Sequence, residues 1–183
     1  GEFMTLFAKG TWTVFNIDNE VKSNKNILHA FRHRHLSWAV AAQFFYVGAQ
    51  ISVFSLFILY AEKSAALSQV RAADYLGACG IAFLIGRFLG TFLMQFIQPQ
   101  RLLALYAAAA AALSVVAIIG TGMITVYAVI AICFFMSIMF PTIFSLGIKD
   151  LKGDTEYGSS LIIMSIVGGA VLPRIFGEIT DVT

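Results

Sequence analysis

Five unbroken apolar runs alternate with short polar punctuation along this chain. They are Leu36 to Tyr60, Tyr75 to Ile97, Leu102 to Gly120, Ile124 to Gly147 and Tyr157 to Gly177. A helix needs about 20 apolar residues to cross the hydrocarbon core of a bilayer, and each run is long enough to span with some tilt. No charged residue occurs from Leu102 to Ile148, enough chain for two crossings joined by the short turn Thr121-Gly122-Met123. The runs are continuous, unlike the short alternating segments of a transmembrane barrel. The pattern therefore predicts an all-α membrane protein. Residues 1–35 form a lead and a basic linker, 36–177 a transmembrane helical bundle, and 178–183 an outer end that reads as truncated.

Composition agrees with this reading. Charged residues make up 12% of the chain, against roughly a quarter in a soluble domain. The net charge of +2 is too small to suggest nucleic acid as a partner. Cys79 and Cys133 lie in different apolar runs and read as small core residues rather than as a disulfide or metal pair. No nucleotide loop, metal-ligand spacing or nucleophile motif appears, so neither an enzyme nor a cofactor is expected. Gly1-Glu2-Phe3 before Met4 reads as a cloning scar, and no cleavable signal peptide is visible.

Lysine and arginine in the loops set the expected orientation. Lys22, Lys25, Arg32, Arg34, Arg101, Lys149 and Lys152 fall on one side, and Lys63 and Arg71 on the other. The first side is expected to be cytoplasmic, with the N-terminus inside. His29, His33 and His35 lie in the basic flank "HAFRHRH", which suits anionic lipid better than a metal.

Polar groups inside an apolar run are costly unless they face protein or water. Within "AQFFYVGAQ", Gln43, Tyr46 and Gln50 are spaced i, i+3, i+7 and share one helical face. Two amides and a phenol beside aromatic rings suit sugar hydroxyls and the C–H faces of sugar rings. The same groups can also join helices by interhelical hydrogen bonds, and spacing alone leaves both readings open. Arg87 lies in mid-run in "GRFLGTF", flanked by Gly86 and Gly90, a small-residue pair that admits a close neighbour. The runs contain no acid to pair with it, so it requires either a carboxylate from elsewhere or a wet route. Pro141 is expected to kink the fourth run, with Ser137, Thr142 and Ser145 helping the freed backbone groups. Gly168 and Gly169 ahead of Pro173 predict a second flexible point in the fifth.

"AQFFYVGAQ", "GRFLGTF", "MFPTIFSLGIK" and "YGSSLIIMSIVGGAVLP" together resemble the C-terminal half of the fucose permease-type sugar:proton symporters, in the major facilitator superfamily. The resemblance covers about residues 30 to 183. Arg174 departs from it, where an apolar residue or a second proline is expected after Pro173. The resemblance implies five helices of a six-helix bundle. It also implies a bacterial inner-membrane location, a monosaccharide substrate (fucose, glucose or galactose) and a proton as coupling ion. The partners would then be the lipid bilayer and a further N-terminal six-helix half that holds the proton-accepting acids. On this view Gln43, Tyr46 and Gln50 contact substrate, while Arg87, Gly86, Gly90, Pro141, Gly168, Gly169 and Pro173 support structure and gating. The competing class is a membrane scaffold whose polar residues only hold helices together.

Overall fold

A computed structural model describes residues 33–151 and 155–182 of the chain. The lead with Lys22, Lys25, His29 and Arg32 lies outside the described residues, as do Lys152 and the last residue. The described elements are all helical: α1 (Arg34–Ala65), α2 (Gln69–Leu93), α3 (Pro99–Ile119), α4 (Met123–Met136), α5 (Met139–Ile148), α6 (Thr155–Met164), a 3-10 turn (Ser165–Val167) and α7 (Gly168–Val182). Taken as α1, α2, α3, α4–α5 and α6–α7, they make five stretches long and apolar enough to cross a membrane.

The connections are short, and local chemistry fixes them. Ala66 takes a left-handed conformation, φ 50°, and stops α1. Pro99 opens α3 at the first helical position, where its missing N–H costs nothing. Gly122 takes φ +69° in the α3–α4 turn, a region glycine enters without steric penalty. Its N–H donates to the Ser64 carbonyl at 3.0 Å, and the Thr125 hydroxyl donates to Ser64 Oγ at 3.2 Å. The turn is thereby tied to the end of α1.

The fourth crossing is central and the third peripheral. In the apolar window of Met123–Ile148, 56% of residues are buried, against 11% in Pro99–Ile119. The α3 surface is plain hydrocarbon, with Leu105, Val115, Ile118 and Ile119 exposed, as suits a helix facing lipid.

The fourth crossing breaks where the sequence predicts. Proline at 141 has no N–H for the Ser137 carbonyl, and its ring collides with that group. The helix stops at Met136 and restarts at Met139. Ser137 Oγ donates to the Phe134 carbonyl and Thr142 Oγ1 to the Ile138 carbonyl, both at 2.7 Å. Ser145 Oγ donates to the Thr142 carbonyl at 3.1 Å.

The fifth crossing differs from expectation. Pro173 sits inside the uninterrupted α7, and the irregular turn comes earlier, at Ser165–Val167. Gly168 and Gly169 lie just after that turn and serve as packing sites. A Cβ at Gly168 would collide with the Phe44 carbonyl oxygen, and one at Gly169 with the Ile51 side chain. Gly48 on α1 answers them, facing Leu172 and the Gly168 carbonyl. The two backbones approach more closely than any side chain would allow. Gly86 and Gly90 do the same between α2 and the broken helix, against the Phe134 carbonyl and the Ile138 side chain.

Replacing Gly168 with Leu should cost about 1–3 kcal/mol, the usual penalty for overpacking. Gly177→Ala, where an added Cβ meets nothing within 4 Å, should be neutral. Thermal unfolding of the intact protein in detergent checks both. Equal melting temperatures for the two variants would remove the packing role.

Candidate functional site: the polar face of α1 at the helix break

The polar face of the first helix lies against the break in the fourth. Tyr46 is buried, and its hydroxyl donates to the Met136 carbonyl at 2.6 Å. In an unbroken helix the Met136 carbonyl would accept from the Phe140 N–H four residues on. The phenol thus stands where a rung of the helix ladder is missing, one of the recognised ways in which a helix is held kinked. The Tyr46 hydroxyl thus joins α1 to the broken helix.

Gln43 is completely buried, 0% exposed. Among the described residues, neither its amide nitrogen nor its carbonyl oxygen has a hydrogen-bond partner. Such a group ordinarily costs about 1–3 kcal/mol. Packing alone would be better served by leucine. Gln50, one turn beyond Tyr46, is half-buried. Phe45 is largely exposed and points off the stripe. The three residues therefore share a helix face, as their spacing requires, but occupy three environments: a sealed amide, a wedge phenol and a half-open amide. A sequence scan separates none of these, because the partner elements are about 90 residues away.

A crevice of about 400 Å³ lies among α1, α3 and α4, lined by Ser52, Leu56, Phe57, Tyr60 and Ile132 among others. It does not include the polar stripe, and its lining is almost wholly apolar, as suits an acyl chain. Cys79 and Cys133 are free, buried thiols in one apolar cluster. No group of three metal-ligating side chains occurs among the described residues. His35 Nε2 lies 3.1 Å from the Lys149 carbonyl and links the basic flank to the end of α5.

This arrangement of helices is shared with solved transporters. The crystal structure of a major facilitator superfamily transporter, FucP, in the outward conformation superposes with a TM-score of 0.80 at 44% identity, over 83% of this chain and 37% of that one. The chain carries part of a major facilitator fold. A second solved structure, of the Escherichia coli fucose:proton symporter FucP, gives a TM-score of 0.81 at 43% identity over 84% of this chain and 38% of that one. By sequence, the chain is 45% identical over 151 residues to the L-fucose-proton symporter of Escherichia coli K12, which is 82% of this chain and 34% of that protein. It is 38% identical over 166 residues to a putative glucose/galactose transporter of Helicobacter pylori, 91% of this chain and 41% of that one. The chain thus spans about a third to two fifths of the length of these relatives. No protein-family model matches it. Within the major facilitator fold, the stripe on α1 lies against the broken helix.

Two substitutions separate the roles of the stripe. Tyr46→Phe removes one hydrogen bond from a buried carbonyl and should cost about 1 kcal/mol of stability. Gln43→Leu removes two unsatisfied atoms and should leave the melting temperature unchanged or raise it. A lowered melting temperature for Gln43→Leu would show that the amide is bonded in the intact protein.

Proposed function

We propose that this chain is the C-terminal bundle of a monosaccharide transporter, which carries a fucose-, glucose- or galactose-like sugar with a proton across a bacterial inner membrane by alternating access. The observation that carries this reading is the 45% identity to an L-fucose-proton symporter over 82% of the chain. Transport, and no enzymatic step, is the activity proposed.

The broken elements suit this work. Rocking of two bundles about a site near mid-membrane is served by discontinuous helices. The α4–α5 break and the Ser165–Val167 turn are points where such a motion bends the chain. Gln50 is the stripe residue open enough to meet a sugar hydroxyl. Gln43 joins it when α5 moves away and admits ligand or water to the sealed amide. The coupling acids are assigned to the remainder of the transporter, because no carboxylate lies within the five apolar runs. The lysine and arginine bias of the loops supports a cytoplasmic N-terminal end for α1.

Three measurements test the proposal. The intact protein in proteoliposomes should take up a labelled hexose or deoxyhexose in response to an inward proton gradient, and this chain alone should take up none. Gln50→Leu should leave the melting temperature nearly unchanged and weaken sugar binding about fivefold, the equivalent of one hydrogen bond of about 1 kcal/mol. Normal affinity combined with a lowered melting temperature would favour a purely structural stripe. For orientation, a cysteine at Ser68 should label from outside intact cells, and one at Gln98 only after permeabilisation. The reverse pattern would overturn the assigned topology.

A further inference from the structure

Helix α5 is only 10 residues long, and it covers the sealed amide of Gln43. Ala39, Gln43 and Tyr46 share one face of α1, spaced i, i+4 and i+7. Gly147, near the far end of α5, lies against Ala39. The Tyr46 hydroxyl reaches the Met136 carbonyl at the opposite end, just before the break. Gln43 falls between these two contacts, so the middle of α5 lies over it. Met139, Thr142, Ile143 and Gly147 are the buried positions of α5 and form the matching face.

The two ends of this cover are held differently. At one end is the break, where only Ser137 and Ile138 separate α5 from α4. At the other, the chain leaves through Lys149 and then Asp150, which takes a left-handed conformation, φ 61°, uncommon for a residue with a side chain. That reversal turns Leu151 inward. Leu151 is 3% exposed and joins Leu36, Leu161 and Ile162 in a small apolar cluster. Its seat exists because Gly158 of α6 has no side chain; a Cβ there would collide with Leu151. Beside it, exposed His35 donates from Nε2 to the Lys149 carbonyl at 3.1 Å. One seated leucine and one surface hydrogen bond therefore fasten the end of α5 to the starts of α1 and α6. Fastenings of this kind open locally before a whole bundle does.

We propose that α5 is a lid over Gln43, hinged at Ser137–Ile138 and latched by Leu151 and His35. Release of the latch swings the end of α5 away from α1 and admits water or a hydroxyl-bearing ligand to the amide. Among the described residues, the closed lid leaves both amide atoms without a partner. Opening supplies partners to them, so the amide favours the open state and the latch opposes it. The balance between the two sets the fraction of molecules that are open. This inference rests on the reading of Gln43 as a ligand contact and names the residues that control access to it. It does not depend on which sugar is carried.

The test reads access rather than uptake, in the intact protein in detergent with Cys79 and Cys133 replaced by Ala. Gln43→Cys places a thiol under the lid, and its rate of modification by a small water-soluble methanethiosulfonate tracks the open population. Modification should be slow in this parent. Adding His35→Ala should speed it about fivefold, the equivalent of one hydrogen bond. Adding Leu151→Ala, which empties the seat, or Gly158→Ala, which fills it, should speed it by about tenfold or more. The exposed position of His35 keeps the test readable should Leu151→Ala fail to fold. Tyr60→Phe is the control: it removes a hydrogen bond of 2.7 Å to the Ala117 carbonyl near the other end of α1 and should leave the rate unchanged. Rapid modification in the parent would show that nothing covers position 43. Equal rates with and without the latch substitutions, or an equal rise with Tyr60→Phe, would overturn the latch. Loss of sugar uptake with the labelling pattern intact would count against the transport reading alone and leave the lid standing.

Discussion

Hydrocarbon offers no water to a backbone group left without a partner, and this bundle is organised around a place where a helix ladder must fail. Pro141 removes a donor and displaces a carbonyl in the middle of the most buried crossing. Everything near the break answers that loss. Ser137 and Thr142 bond carbonyls on either side of it, and the phenol of Tyr46 enters from α1 to take the Met136 carbonyl. Gly86 and Gly90 then let α2 close over the irregular segment. The break is thus supported from two neighbouring helices, which is why it can be both irregular and ordered.

The same arrangement divides the bundle into parts with different tasks. α1 touches both irregular crossings, through the tyrosine on one side and through Gly48 on the other. α3 sits outside and mainly presents apolar surface. Among the described residues, the buried amide of Gln43 is the side chain left without a hydrogen-bond partner.

Much of this was legible in the sequence. Run length and charge placement yield five crossings, and the rule that proline cannot accept an interior helix position places the first break correctly. The close-packing roles of Gly86 and Gly90 follow from their spacing. The second irregular point falls at Ser165–Val167, directly before the expected Gly168 and Gly169, while Pro173 sits in a helix that tolerates it. The stripe at Gln43, Tyr46 and Gln50 was found, but not the division of labour within it. Helical period says which residues share a face. It says nothing of what stands opposite, and here that is the Met136 carbonyl at the helix break, 90 positions further along the chain.

The contact between Gly168 and the Phe44 carbonyl has a mechanical consequence. Two helices that touch through main chain have no side-chain slack between them, so displacement of one passes to the other without being absorbed by rotamer changes. α1 and α7 therefore behave as a single strut. Compliance in that part of the bundle is concentrated in the three residues Ser165–Val167, which act as a flexure at the strut's end, much as a thin web does in a machined hinge.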